Sequence, residues 1–112
     1  MSPNAARDKG LRAEREAARL LEAELGYPMH RLTSPGSPFE VGDLFGLPDC
    51  VVQVAYWPSN TLAAYVKKPD EAEAQRLTAG VEHAVSMIRH KGGLWRVAMT
   101  VPQFARLYRE HR

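Results

Sequence analysis

The chain has 112 residues, of which 45% are hydrophobic and 25% charged. That length and balance build one globular core and exclude a two-domain cofactor enzyme, a fibrous repeat and a disordered tail. Fifteen Lys and Arg against thirteen Asp and Glu leave a net charge of +2, too small for the strongly basic chain that announces a nucleic-acid binder. The total hides a gradient. From Arg89 to Arg112, six basic residues stand against Glu110 alone, a local +5 that leaves −3 for the first 88 residues. The basic end is therefore a candidate contact surface. Cys50 is the only cysteine, which excludes an intrachain disulfide and fits a reducing compartment.

Met1 to Ala6 reads as the start of a disordered lead, placed over residues 1–8, with a single domain over 9–112. Lys9 to Leu25 carries a helical pattern ended by Gly26, Tyr27 and Pro28. Ala13, Ala17, Ala18, Leu20, Leu21 and Leu25 fill an apolar arc of roughly 160°, with Arg12, Arg15, Glu16 and Arg19 outside it. Glu14 falls inside the arc, where an acid costs free energy. Met29 to Leu32 reads as a short strand, followed by the Pro, Gly and Ser loop Thr33 to Pro38. Val41 to Phe45 and Cys50 to Trp57 read as strands joined around Gly46 to Asp49, and alternation puts Val51, Gln53 and Ala55 on one face of the second.

From Thr61 to Ala79 the pattern is helical, but Pro69 lacks an N–H and restricts its predecessor, so the main helix is expected to start near Asp70, with Lys67 and Lys68 in the break. Val81 to His90 and Leu94 to Thr100 read as a hairpin turning at Lys91-Gly92-Gly93. Thr100 with Gln103 fits a capping box, and Val101, Phe104, Ala105 and Tyr108 keep helical spacing to the end. The fold class is α/β (α+β), a mixed sheet flanked by helices in the order α-β-β-β-α-β-β-α. The N-terminus is charged at Arg7, Asp8 and Lys9, and no apolar run approaches the ~20 residues of a spanning helix, so the expectation is a cytoplasmic protein without membrane contact.

The run Lys9-Gly10-Leu11-Arg12-Ala13-Glu14-Arg15-Glu16, the Ser/Gly loop, Gly42-Asp43, the following strand and a helix bearing Gln75 together resemble the Holliday-junction resolvases of archaea. They resemble still more the resolvase-like nucleases of actinobacterial phages, within the PD-(D/E)XK superfamily. Glu71 to Gln75 and Met99 to Phe104 add to that second likeness. The resemblance runs from Lys9 to about Tyr108 and implies a restriction-endonuclease-like fold, Mg²⁺ or Mn²⁺ held by carboxylates, a lysine that polarises the nucleophile, and a homodimer acting on branched or duplex DNA. Glu14 matches the helix acid and Asp43 the strand acid, while the Glu-x-Lys position falls on Gln53-Val54-Ala55.

Glu14, Asp43 and Gln53 are thus the implied metal ligands, with Ala55 and Gln75 completing the catalytic set. Because a neutral amide replaces an anion and Ala55 carries no charge, metal binding is expected to be weakened or absent and cleavage impaired, through natural decay or deliberate inactivation. Lys67 or Lys68 is the alternative source of a migrated lysine. The implied DNA contacts are Lys9, Arg12, Arg31, Ser34, Ser37, Lys67 and Lys68. The alternative function is a decayed fold serving as a protein-interaction module, such as a phage factor binding a host protein. His30, His83, His90 and His111 lack metal-ligand spacing and read as surface or structural. Tyr56, Trp57 and Trp95 read as packing residues.

Overall fold

The computed structural model describes residues 5–31, 43–57 and 61–111. Helix α1 (Ala5–Leu25) is followed by strands β1 (His30–Arg31), β2 (Leu44–Phe45) and β3 (Cys50–Trp57). Helix α2 (Thr61–Ala79), strands β4 (His83–His90) and β5 (Leu94–Ala98), and helix α3 (Val101–Glu110) complete the chain. The order is the expected one, although α1 begins at Ala5, inside the segment expected to be a disordered lead. Its apolar arc is buried at Ala13, Ala17 and Ala18, whereas Leu20 and Leu25 are exposed.

One sheet runs β1-β2-β3-β4-β5. Only β3 and β4 are parallel, pairing from Cys50–His83 to Trp57–His90, and α2 is the crossover between them. The other neighbours are antiparallel. Alternation along β3 separates two cores. Val52 packs with Ala17, Ala18, Met29, Leu44 and Met87 beneath α1, and Ala55 packs with Ala64 and Ile88 beneath α2. Small residues dominate where α2 crosses the sheet, which lets the helix approach its backbone.

Turn chemistry fixes the joints. Gly46 has φ 136°, and a Cβ there would lie 2.3 Å from the Pro28 carbonyl oxygen, so only glycine fits. Asp49 takes the left-handed region at φ 59°. Its carboxylate accepts from Glu82 N at 3.0 Å and its carbonyl from His83 N at 3.0 Å, tying the β2–β3 turn to the start of β4.

Helix α2 does not break at Pro69. It runs unbroken through the proline, which is buried. A helix-interior proline costs about 3 kcal/mol, and here the helix stays whole because Ala64 and Ala72, on either side of it, are both buried. Lys67 and Lys68 therefore sit within a helix and not in a loop.

Thr100 Oγ1 accepts from Gln103 N at 3.2 Å, the capping half of the expected box. The reciprocal half is absent because the Gln103 side chain is used elsewhere. Its Oε1 accepts from Ala84 N at 2.9 Å and from Arg106, and its Nε2 donates to His83 Nδ1 at 2.9 Å. That leaves the His83 Nε2 proton to reach Glu110 Oε1, 2.7 Å away. Helix α3 is thus docked by its polar side. Its apolar side, Val101, Phe104 and Tyr108, is 81%, 59% and 62% exposed, with the two aromatic rings stacked at 6.1 Å.

Candidate functional site

Of the residues matched to a cleavage centre, Asp43, Gln53, Ala55 and Gln75 lie on the α2 side of the sheet, whereas Glu14 lies on α1 across it. Gln53 shares its face with Ala55, and register sets it beside Ser86 on β4. Above them α2 turns a stripe downward, Ala64, Lys68, Ala72 and Gln75, spaced three or four residues apart. Asp43, just before β2, is bound to β3. Its Oδ2 accepts from Val54 N at 2.7 Å, and its own N–H donates to Val52 O at 3.0 Å. Burial pushes the Asp43 carboxyl above the ordinary carboxylate range. The Val54 N–H and the Lys68 ammonium pull it partly back, while Glu71 adds to the rise. Lys68 pairs with Glu71 at 3.0 Å. Lys68 and Glu71 thus lie near Asp43 at the α2–sheet junction.

Three polar atoms there stand out. Gln53 Oε1, Gln75 Oε1 and Ser86 Oγ are buried without a hydrogen-bond partner, an arrangement that costs about 1–3 kcal/mol for each such group. Gln53, matched to the metal-ligand position on β3, has a carbonyl oxygen that is not satisfied. Gln75 is half-buried, with its Oε1 out of reach of water. Ala55 is close-packed between Ala64 and Ile88.

Glu14 lies half-buried on α1, in the layer across the sheet from α2. Arg12 is exposed on the same helix, Lys67 is exposed on α2 and Lys68 is half-buried. The side chains of Lys9 and Arg31, and Ser34 and Ser37 altogether, lie outside the described residues. Among the described residues, no three His, Cys, Asp or Glu side chains are grouped to hold a metal ion. The donors at Asp43 do not fit Mg²⁺ or Mn²⁺ of the kind the resemblance implies. One Asp43 oxygen is taken by Val54 N–H, Gln53 offers a neutral carbonyl, and the Lys68 ammonium opposes a cation.

Local periodicity could not show two polar clusters that join distant segments. Glu16, outside the apolar arc of α1, accepts from Arg89 Nε at 3.2 Å and from Trp95 Nε1 at 2.7 Å. Arg89 also lies 5.3 Å over the Tyr56 ring. Glu73 accepts from Arg76 Nε at 2.6 Å, from Thr100 Oγ1 at 3.1 Å and from Arg106. Burial pushes its carboxyl up, but the bonds from Arg76, Arg106 and Thr100 outweigh that and hold it below the usual range. Arg89 and Arg106 are thereby spent on internal pairs, so the basic end is not one free cationic surface. Cys50, half-buried, has its thiol pushed up to about 11 by burial and by Asp49, which leaves it unreactive near neutral pH.

No protein-family model, curated protein or solved structure matches the chain. Among the described residues no helix is long and apolar enough to cross a membrane.

Proposed function

We propose that this chain is a DNA-binding protein of the resolvase-like nuclease type with a degenerate cleavage centre, acting on branched or duplex DNA as a homodimer. One observation carries the reading. It is supported by the positions matched to the strand acid and to Glu-x-Lys lying on the α2 side of the sheet, where Gln53 is a buried amide with an unmet oxygen and Ala55 packs with Ala64 and Ile88. An ordinary apolar core has no reason to keep Gln53 and Ser86 unsatisfied beneath α2 and Gln75 unsatisfied on it. A bound divalent cation forms no part of this proposal, since the donor set does not fit one.

The test is a fluorescence-anisotropy titration of a labelled four-way junction at two salt concentrations. Nanomolar to micromolar binding that weakens steeply with salt, as counterion release requires, supports the proposal. No binding at low salt refutes it.

The exposed stripe of α3 favours a second reading, a decayed nuclease fold used as a protein-interaction module, such as a phage factor that binds a host protein. Under that reading the junction is ignored, and Phe104→Glu abolishes capture of the partner without unfolding the chain.

A further inference from the structure

We propose that the cleft between α1 and the β1–β2 end of the sheet takes one unstacked nucleotide of a DNA branch. The base would lie against His30 and Phe45, and the phosphate between Arg15 and Arg19. The inference rests on the DNA-binding reading and names the contact that reading leaves open.

The cleft has a volume of about 580 Å³, within the usual range for a small-molecule site. Its floor is apolar, from Met29 and Ala18, and its wall holds the His30 and Phe45 rings, centroids 5.4 Å apart. Arg15 and Arg19, one helical turn apart on α1, line it with exposed guanidinium groups. Among the described residues neither has a carboxylate partner, whereas Arg76, Arg89 and Arg106 each have one. Cations left unpaired beside an apolar cleft with aromatic walls are the combination that binds single-stranded nucleic acid: the rings stack on a base and the guanidinium groups hold phosphate.

Of the acids nearby, Glu22 lines the cleft and offsets one of the two guanidinium charges, leaving a net +1 from Arg15, Arg19 and Glu22. Glu16 is taken by Arg89 and Trp95, and Glu22 Oε1 accepts from Met29 N at 3.0 Å. The second Glu22 oxygen is left to accept from a base amino group. Arg12 continues the row, so that Arg12, Arg15 and Arg19 span about 10 Å of one helix face. Beyond Arg12 a second opening is walled by Tyr56 under Arg89. The row thus has an aromatic cleft at either end, a path for a strand leaving a junction.

Three labelled probes are titrated by anisotropy: a dA oligonucleotide of about 12 nucleotides, a four-way junction and a blunt duplex. Phe45→Ala should weaken the oligonucleotide and the junction roughly tenfold and leave the blunt duplex within twofold. Arg15→Ala with Arg19→Ala should lower the slope of log affinity against log salt for the oligonucleotide by about 1.4, the share of two phosphate contacts on a single strand. Circular dichroism checks that the variants fold. If the protein binds the junction and both variants bind every probe as tightly as the parent, the cleft proposal falls and the DNA reading stands. A uniform loss on all three probes also overturns it, leaving a plain electrostatic contact. Free dAMP binding as tightly as the oligonucleotide would overturn the DNA branch as the source of the nucleotide. If the parent protein binds no probe at low salt, the DNA reading fails and the cleft with it.

Discussion

Replacing Gln53 with methionine should stabilise the protein. Gln53 is 5% exposed, and its Oε1 has no partner, so the folded state carries about 1–3 kcal/mol of unrecovered desolvation at that atom. Methionine has nearly the same shape, and a volume-conserving swap costs less than about 1.5 kcal/mol. The balance is a gain of about 1 kcal/mol. In urea, with m of roughly 1–3 kcal/mol/M, the midpoint should rise by about 0.3–1 M with the slope unchanged. Far-UV circular dichroism follows the transition. A midpoint that falls at unchanged slope would mean that the Gln53 oxygen is satisfied in solution, and the argument that this position is kept against its own stability cost would be wrong. Gln53→Glu sharpens the test. Burial raises a carboxyl there, so the folded state keeps a proton that the unfolded chain has lost. Its stability relative to the parent is preserved below about pH 4.3 and declines as pH rises.

Three further outcomes follow from the polar contacts. Glu73→Ala removes the acceptor shared by Arg76, Arg106 and Thr100 and should cost about 2–3 kcal/mol. Because Glu73 is held below its ordinary 4.5, its contribution is present above that pH and is lost as pH falls through the folded value, so the variant should show a flatter acid limb in its stability–pH curve. Asp43 is raised above its ordinary 3.8, so its ionisation opposes folding as pH climbs from there through the folded value. Asp43→Asn, which can still accept from Val54 N, should therefore melt at or above the parent's temperature at pH 7, and a lower Tm contradicts the shift. Ala55→Lys must force a long side chain between Ala64 and Ile88 and should lose about 1–3 kcal/mol. An unchanged urea midpoint would show that α2 leaves room for the lysine.

What the sequence disclosed, and what it hid, follows the range of the interactions. Strand β3 was legible from Cys50 to Trp57 because β-branched residues and period-two alternation are local. Its two faces were assigned correctly for the same reason, which put Gln53 and Ala55 on one side before any helix was placed there. The turn at Gly92-Gly93 was equally local, both glycines lying at positive φ. Helix α2 was misread because Pro69 is a strong local breaker, while what keeps the helix whole is tertiary: buried alanines against the sheet. At the candidate site, the influence of Lys68 on Asp43 depends on that unbroken helix, which carries a lysine expected in a loop near enough to pull the Asp43 carboxyl partly down. The pairs Glu16–Arg89 and Gln103–His83 are separated by 73 and 20 residues, distances over which periodicity carries no information. The C-terminal charge excess was read as a surface, yet Arg89 and Arg106 spend their charge on internal carboxylates.

The way α3 is attached bears on how the protein comes apart. Most helices leave a sheet by exposing oil to water, so their release is strongly favoured by denaturant, whose effect scales with newly exposed surface. Helix α3 has Val101, Phe104 and Tyr108 in water already, with Leu107 half-buried, and is held by Gln103, Arg106 and Glu110. Its detachment would uncover little apolar area, give a small heat-capacity change and respond weakly to urea. Such an opening is governed by hydrogen-bond chemistry, and amide exchange would register it where a melting curve would not.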